Sequence, residues 1–125
     1  MSADRERAVV DRVPKGTSKG GKTFAVEDPS TGEVLCDIAD ATPQDAVAAL
    51  DAAADQQQSW AATPPRDRGE ILRRAFELLT ERADDLALLM TLEMDKPIAE
   101  SKTEVTYAAE FFRWFAEETV RIANR

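Results

Sequence analysis

A dense aromatic cluster near the C-terminal end of the chain most constrains its fold. Five of the eight aromatic side chains fall between Tyr107 and Phe115. At helical spacing, the segment has an apolar stripe consisting of Val105, Ala108, Phe112, Phe115 and Ala116. Beside that stripe lie Tyr107, Phe111 and Trp114. Since a surface helix normally carries one apolar stripe, a helix this broadly apolar is expected to be covered on more than one side. Few residues remain in the chain to cover it.

Length and composition indicate one acidic globular domain. A chain of 125 residues with 43% hydrophobic content can bury a modest core and is not disordered by composition. Its 24 acidic and 16 basic residues give a net charge of -8. Such a surface repels phosphate backbones, so we expect no nucleic-acid partner. The acidic, Arg- and Ala-rich composition favours a salt-adapted cytoplasm.

Several classes of protein and site are excluded by what the sequence lacks. It has no apolar run of about 18 residues for a membrane span. Its first residues lack an apolar signal core. Both features predict a cytoplasmic protein without a membrane partner. Without histidine, Ser-His and Cys-His catalysis and His-based metal sites are excluded within this chain. Cys36, next to Asp37, is interpreted as a small hydrophobic residue rather than a nucleophile.

The pattern along the chain predicts a mainly helical segment with an N-terminal β-hairpin. Residues 1–23 are interpreted as a flexible lead-in, and residues 24–125 as the folded part. Two strands, 24–27 and 34–38, are expected on either side of a turn over residues 28–33. Thr42 and Pro43 predict a helix start, and Val47, Leu50 and Ala54 its apolar stripe.

Three further helices are expected. One restarts at residues 63–65, with an apolar face at Ile71, Leu72, Ala75, Phe76, Leu79 and Ala83. Another runs over residues 86–94, capped by Asp84 and Asp85, and ends before Pro97 because the residue before proline disfavours the α region. The aromatic helix follows. Capping and a solvated face explain the acidic pairs 84–85 and 117–118 better than metal ligation, since neighbours in sequence do not share a helix face.

Residues 16–23 fit the phosphate-loop pattern G-x-x-x-x-G-K-[ST] in full. In a true phosphate loop, Lys22 would reach the phosphates, Thr23 would hold Mg²⁺, and a helix would follow. Residues 8–13 could supply the preceding strand. The residues after the motif, however, predict a strand and a turn, with Pro29 and Gly32 where a helix should run. We therefore favour a basic lead-in and keep nucleotide hydrolysis through Lys22 as an alternative.

The order and spacing of several motifs resemble the aldehyde dehydrogenase superfamily. The resemblance runs from Phe24 to Arg125 and is closest to the succinate-semialdehyde dehydrogenase branch. The segments that carry it are residues 24–35 (FAVEDPSTGEVL), Trp60, residues 66–74 (RDRGEILRR), residues 89–97 (LMTLEMDKP) and residues 98–118. One departure is Asp95, which stands where the family usually has glycine; aspartate tolerates left-handed backbone better than most residues. Another is the lead-in, which lacks the family's usual approach to the first strands.

The resemblance implies the α/β fold and the chemistry of the whole family. A cysteine thiolate attacks an aldehyde, hydride passes to NAD or NADP, and a glutamate-activated water releases the acid. The family's positions for these groups lie downstream of Arg125, so no catalytic or cofactor-binding residue is assigned here and Cys36 is not the nucleophile. Some members bind a monovalent cation, and the matching positions are Val26, Glu27 and Glu93.

We therefore expect the N-terminal part of an NAD(P)-dependent semialdehyde dehydrogenase that is inactive alone. Its partner would be the remainder of that fold or a second copy. The alternative is a non-catalytic helical module that docks through Phe111, Phe112, Trp114 and Phe115; a nucleobase-stacking role for these rings is disfavoured because acids surround the nearby Arg113 and Arg121.

Overall fold

The computed structural model describes residues 3–122, which form five helices and a two-stranded antiparallel sheet. In chain order, the elements are α1 (Ala3–Val10), β1 (Thr23–Glu27), β2 (Val34–Ala39), α2 (Pro43–Ala62), α3 (Pro65–Glu81), α4 (Ala83–Met94) and α5 (Ile98–Ile122). The expected class, mainly helical with a β-hairpin, is confirmed. Within this described part, no helix combines the length and apolarity needed to cross a membrane.

The hairpin forms where its turn residues predict it. Phe24 lies opposite Ile38. Gly32 adopts φ 73°, and its N–H donates to the Asp28 carbonyl at 2.8 Å. The Asp28 carboxylate accepts the Ser30 N–H at 2.8 Å, which closes a turn of the kind that Asp commonly forms. These bonds confirm the predicted turn.

Helix α2 starts as expected but does not bury its expected stripe. The Thr42 hydroxyl accepts the Asp45 N–H, and the Asp45 carboxylate accepts the Thr42 N–H, so a full capping box is present. No residue of α2 is buried, however, and Val47 and Leu50 are 58% and 69% exposed. The predicted apolar stripe is therefore exposed, because no other described element makes extensive contact with α2.

The core lies around α4 and α5, with α1 packed on α4 and α3 packed on α5. The most extensive helix pairing is between α3 and α5. It is close because residue 69 is glycine: a Cβ there would lie 2.9 Å from Thr119 Oγ1 and 3.0 Å from the Ala116 carbonyl oxygen. The buried apolar residues are Val9, Val10, Ala87, Leu88, Val105 and Ala109. The buried face of α5 therefore differs from the predicted stripe: Ala109 is buried, and Ala108 is exposed.

The turn between α4 and α5 tolerates aspartate. Asp95 is left-handed, with φ 53° and ψ 35°, and its N–H donates to the Thr91 carbonyl at 3.0 Å. The Thr91 hydroxyl also lies 2.9 Å from the buried Ser101 hydroxyl, so a hydrogen bond joins the two helices. The expectation that aspartate preserves this turn is confirmed.

The lead-in and the start of α4 differ from expectation. Residues 8–13 are not a strand; α1 ends at Val10 and packs on α4, which buries Val9 and Val10. A boundary at residue 23 and a flexible lead-in stay predictions. Asp84 and Asp85 do not cap α4, which begins earlier, at Ala83, with Arg82 as N-cap and no side-chain cap bond.

The acidic pair of α4 forms ion pairs instead of a cap. Asp84 pairs with Lys102 at 2.8 Å and Asp85 with Arg12 at 3.1 Å. The hydrogen bond from Lys102 lowers the pKa of Asp84. These carboxylates thus connect α4 to its neighbours, which local sequence could not show because the partners are distant along the chain.

Candidate docking surface

The aromatic side chains of α5 form an exposed surface on the bundle, here called the aromatic face: Tyr107, Phe111, Trp114 and Phe115. Their exposed fractions are 67%, 48%, 61% and 53%, respectively. Tyr107 and Phe111 contact each other edge to face, with ring centroids 5.0 Å apart. The part of α5 that meets the bundle is instead lined by Ser101, Val105 and Ala109. The rings thus lie outside the core that the described residues form.

A second apolar surface adjoins the aromatic face, here called the Trp60 groove. It is an open depression of about 410 Å³ between the end of α2, α3 and α5. Its lining residues are Trp60, Arg68, Leu72, Phe111, Phe112, Phe115, Glu118 and Thr119. Trp60 and Phe112 are 42% and 37% exposed. The aromatic face and the groove share Phe111 and Phe115, so together they form one continuous apolar surface.

Two arginines beside this surface, Arg113 and Arg121, are paired with carboxylates. Arg113 Nε donates to Glu110 Oε2 at 2.8 Å, and this hydrogen bond raises the pKa of Arg113. Arg121 pairs with Glu118 at 2.6 Å. Both arginines therefore have carboxylate partners, which weakens their attraction for phosphate. This geometry favours a protein partner for the aromatic rings over a stacked nucleobase.

The phosphate-loop candidate has the wrong structural context. Residues 16–22 lead into strand β1, whereas a phosphate loop must open a helix. The Lys19 N–H donates to the Asp45 carboxylate at 3.2 Å, which places an acid against the loop's backbone. Lys22 is exposed, and its carbonyl accepts the Asp40 N–H at 2.9 Å. The structure thus agrees with the interpretation against nucleotide hydrolysis through Lys22.

The remaining site candidates lie apart from the aromatic face. Cys36 is a free, half-buried thiol on β2, opposite Val26. The cation candidates lie on two elements, Val26 and Glu27 on β1 and Glu93 on α4. Residues 3–122 contain no group of three or more Cys, Asp or Glu side chains placed to hold a metal ion. The cation assignment, which also involves backbone carbonyls, stays a prediction.

Sequence patterns located the aromatic face but not the groove. In the sequence, Trp60 and Arg68 stand out only as parts of the segments that carry the family resemblance. Their convergence depends on the angle between α2 and α3. The pattern of residues 63–65 predicts a break between the helices but not that angle.

Comparison with known proteins identifies the family. Residues 16–125 match the aldehyde dehydrogenase family. Succinate-semialdehyde dehydrogenase of Paenarthrobacter nicotinovorans is 65% identical over 92 residues, which cover 74% of this chain and 20% of that protein. The NADP(+)-dependent succinate-semialdehyde dehydrogenase GabD of Escherichia coli is 43% identical over 105 residues, covering 84% of this chain and 22% of that protein.

A solved structure agrees. The crystal structure of HpcC from Thermus thermophilus superposes with a TM-score of 0.85 and 30% identity, covering 94% of this chain and 25% of that one. The chain thus spans about a fifth of the length of the curated relatives it matches, and it corresponds to their N-terminal part. On sequence and fold together, it belongs to the aldehyde dehydrogenase family.

Proposed function

We propose that this chain forms the N-terminal part of a soluble, cytoplasmic NAD(P)-dependent dehydrogenase that oxidises a semialdehyde of the succinate type to its acid. The observation that carries the proposal is the uncovered aromatic face on α5. A ring such as Trp114, 61% exposed on a well-formed helix, is expected to be covered by further protein. The remainder of the aldehyde dehydrogenase fold is the partner that the family match favours.

The described residues contribute structure rather than a chemical step. The glycine-rich segment of the described part, residues 16–21, precedes strand β1 rather than a helix N-terminus, so this segment does not fit a dinucleotide-binding loop. Cys36 lies within strand β2, opposite Val26, and not at a helix N-terminus. In this proposal, the nucleophile, the general base and the NAD or NADP site therefore come from sequence outside this chain.

Enzyme assays test the proposal in two steps. The purified chain, given succinate semialdehyde with NAD⁺ or NADP⁺, should produce no NADH or NADPH. A hybrid, in which the chain replaces the matching N-terminal part of the P. nicotinovorans enzyme, should fold and reduce the cofactor. Turnover by the purified chain would contradict the assignment of the chemistry, and an unfolded hybrid would contradict the role of the chain.

The helical interaction module remains the second candidate, since it would use the same exposed rings. It predicts that the chain functions without a dehydrogenase partner and that the hybrid enzyme does not fold or reduce the cofactor. An active hybrid in which the aromatic face is buried would therefore favour the dehydrogenase assignment over the interaction module.

A further inference from the structure

Arg68 on α3 has a buried polar atom that the described residues leave unsatisfied. No acceptor among residues 3–122 meets its Nε–H, although the atom is shielded from solvent. Buried side-chain donors are nearly always hydrogen-bonded, and a charged donor loses the most when it is left without an acceptor. The position of Arg68 therefore indicates an acceptor supplied from outside the described residues.

The surroundings of Arg68 define what kind of group can reach it. Arg68 lines the Trp60 groove together with Leu72 and the rings of Trp60, Phe112 and Phe115. The rings are 42%, 37% and 53% exposed, respectively, so the groove is open to an incoming segment. An occupant must bring apolar side chains for the rings and an acceptor for the guanidinium.

The acid already present in the groove does not satisfy this need. Glu118 also lines the groove, but its carboxylate pairs with Arg121 at 2.6 Å. A planar guanidinium binds a carboxylate through parallel N–H bonds, which are stronger than bonds to a neutral acceptor. An aspartate or glutamate from the occupant is thus the chemical match for Arg68.

We propose that the Trp60 groove binds a polypeptide segment in which an Asp or Glu is flanked by apolar residues. A carboxylate oxygen of that acidic residue accepts the Arg68 Nε–H. The segment belongs to the remainder of the dehydrogenase polypeptide, so the inference rests on the proposed function. Apolar burial against the rings supplies most of the association, and the Arg68 pair fixes the position of the segment in the groove.

An Arg68→Met substitution separates docking from local stability. Methionine retains an unbranched apolar chain but removes the N–H and the charge. In the isolated chain, loss of an unsatisfied donor should leave the Tm unchanged or raise it. In the hybrid enzyme, loss of the carboxylate pair should lower the Tm by about 3 °C or more. Arg66→Met, at an exposed arginine on the same helix, is the matched control and should lower neither Tm.

A lower Tm for the isolated Arg68→Met chain would make Arg68 a structural residue of this segment and overturn the proposal. An unchanged Tm in the hybrid would also overturn it, while leaving the proposed function intact. If the unsubstituted hybrid does not fold, the proposed function fails and this inference fails with it. Self-association of the isolated chain that Arg68→Met abolishes would assign the groove to a second copy and overturn the choice of occupant.

A crystal structure of the hybrid identifies the acceptor directly. The proposal expects a carboxylate oxygen about 3 Å from Arg68 Nε, with an apolar neighbour against Trp60. A water molecule or a main-chain carbonyl at that position would contradict it.

Discussion

Asp95 has an unfavourable backbone conformation for a residue with a side chain. Its φ of 53° places it in the left-handed region, where glycine has no steric cost. We expect Asp95→Gly to leave the free energy of unfolding unchanged or raise it by up to about 1 kcal/mol. Asp95→Val should lower it by about 1–2 kcal/mol, because a β-branched side chain is disfavoured there. Urea denaturation followed by circular dichroism measures both.

Equal stabilities for the glycine and valine variants would show that residue 95 is not left-handed in solution. At this scale, the sequence was informative, because the resemblance to a family turn that usually has glycine pointed to position 95. The ion pair of Asp84 with Lys102 was not predictable, because nothing local to residues 83–86 specifies a partner 18 positions away.

At the scale of elements, the contact between α3 and α5 depends on Gly69. An added Cβ would lie 2.9 Å from Thr119 Oγ1 and 3.0 Å from the Ala116 carbonyl oxygen. Alanine favours helix by about 1 kcal/mol over glycine, but overpacking of a close contact costs about 1–3 kcal/mol. We expect Gly69→Ala to lower the free energy of unfolding in chemical denaturation.

Thr119 provides the control for this prediction. Combining Gly69→Ala with Thr119→Ala removes the nearer of the two clashing atoms and should recover part of the loss. If Gly69→Ala stabilises the chain through helix propensity alone, the close approach of α3 and α5 is absent in solution.

The start of α2 should respond to acid. The Asp45 carboxylate accepts hydrogen bonds from the Thr42 N–H and the Thr42 hydroxyl. Both bonds lower the pKa of Asp45, and the bond from the N–H has the larger effect. The pKa of Asp45 is lower in the folded chain than its unfolded value near 3.8. The stability that the ionised carboxylate contributes is therefore fully present above that value and is lost as pH falls through the folded pKa. We expect Asp45→Asn to lower stability at pH 7 and to reduce the loss of stability between about pH 4 and pH 2.

Thermal unfolding across that pH range measures the effect. Asp51→Asn, at an exposed position within the same helix, is the matched control. An Asp45→Asn variant with an unchanged pH profile would contradict the role of this carboxylate in the cap.

Element starts and stops were largely predictable, whereas their packing was not. Thr42 and Pro43 predicted the start of α2, and Pro97 the end of α4, because caps and prolines act locally. Helix α1 was missed because the burial of Val9 and Val10 depends on contact with α4. The stripe predicted for α5 contained Ala108, whereas the buried residue is Ala109. Helix α5 carries apolar side chains on several sides, so the pattern alone does not show which side is buried.

At the scale of the whole molecule, the chain has more apolar surface than it covers. The aromatic face, the Trp60 groove and the exposed side of α2 should bind dyes of the anilinonaphthalene type and promote self-association. Replacing Tyr107 with Ser and Trp114 with Gln should lower dye fluorescence without lowering the Tm, since both side chains lie mainly in solvent.

Leu50→Ser on α2 is the control for the dye experiment. It removes one exposed apolar side chain away from the aromatic face and should lower fluorescence less. A monomeric chain that binds no dye would show that its aromatic rings are already covered, which would favour an independent domain.

Protection of the aromatic face tests the central claim most directly. Hydroxyl-radical footprinting measures the reactivity of Tyr107 and Trp114 in the isolated chain and in the hybrid enzyme. The account predicts high reactivity in the isolated chain, where both rings are more than half exposed, and strong protection in the hybrid. Equal reactivity in the chain and in a catalytically active hybrid would contradict it.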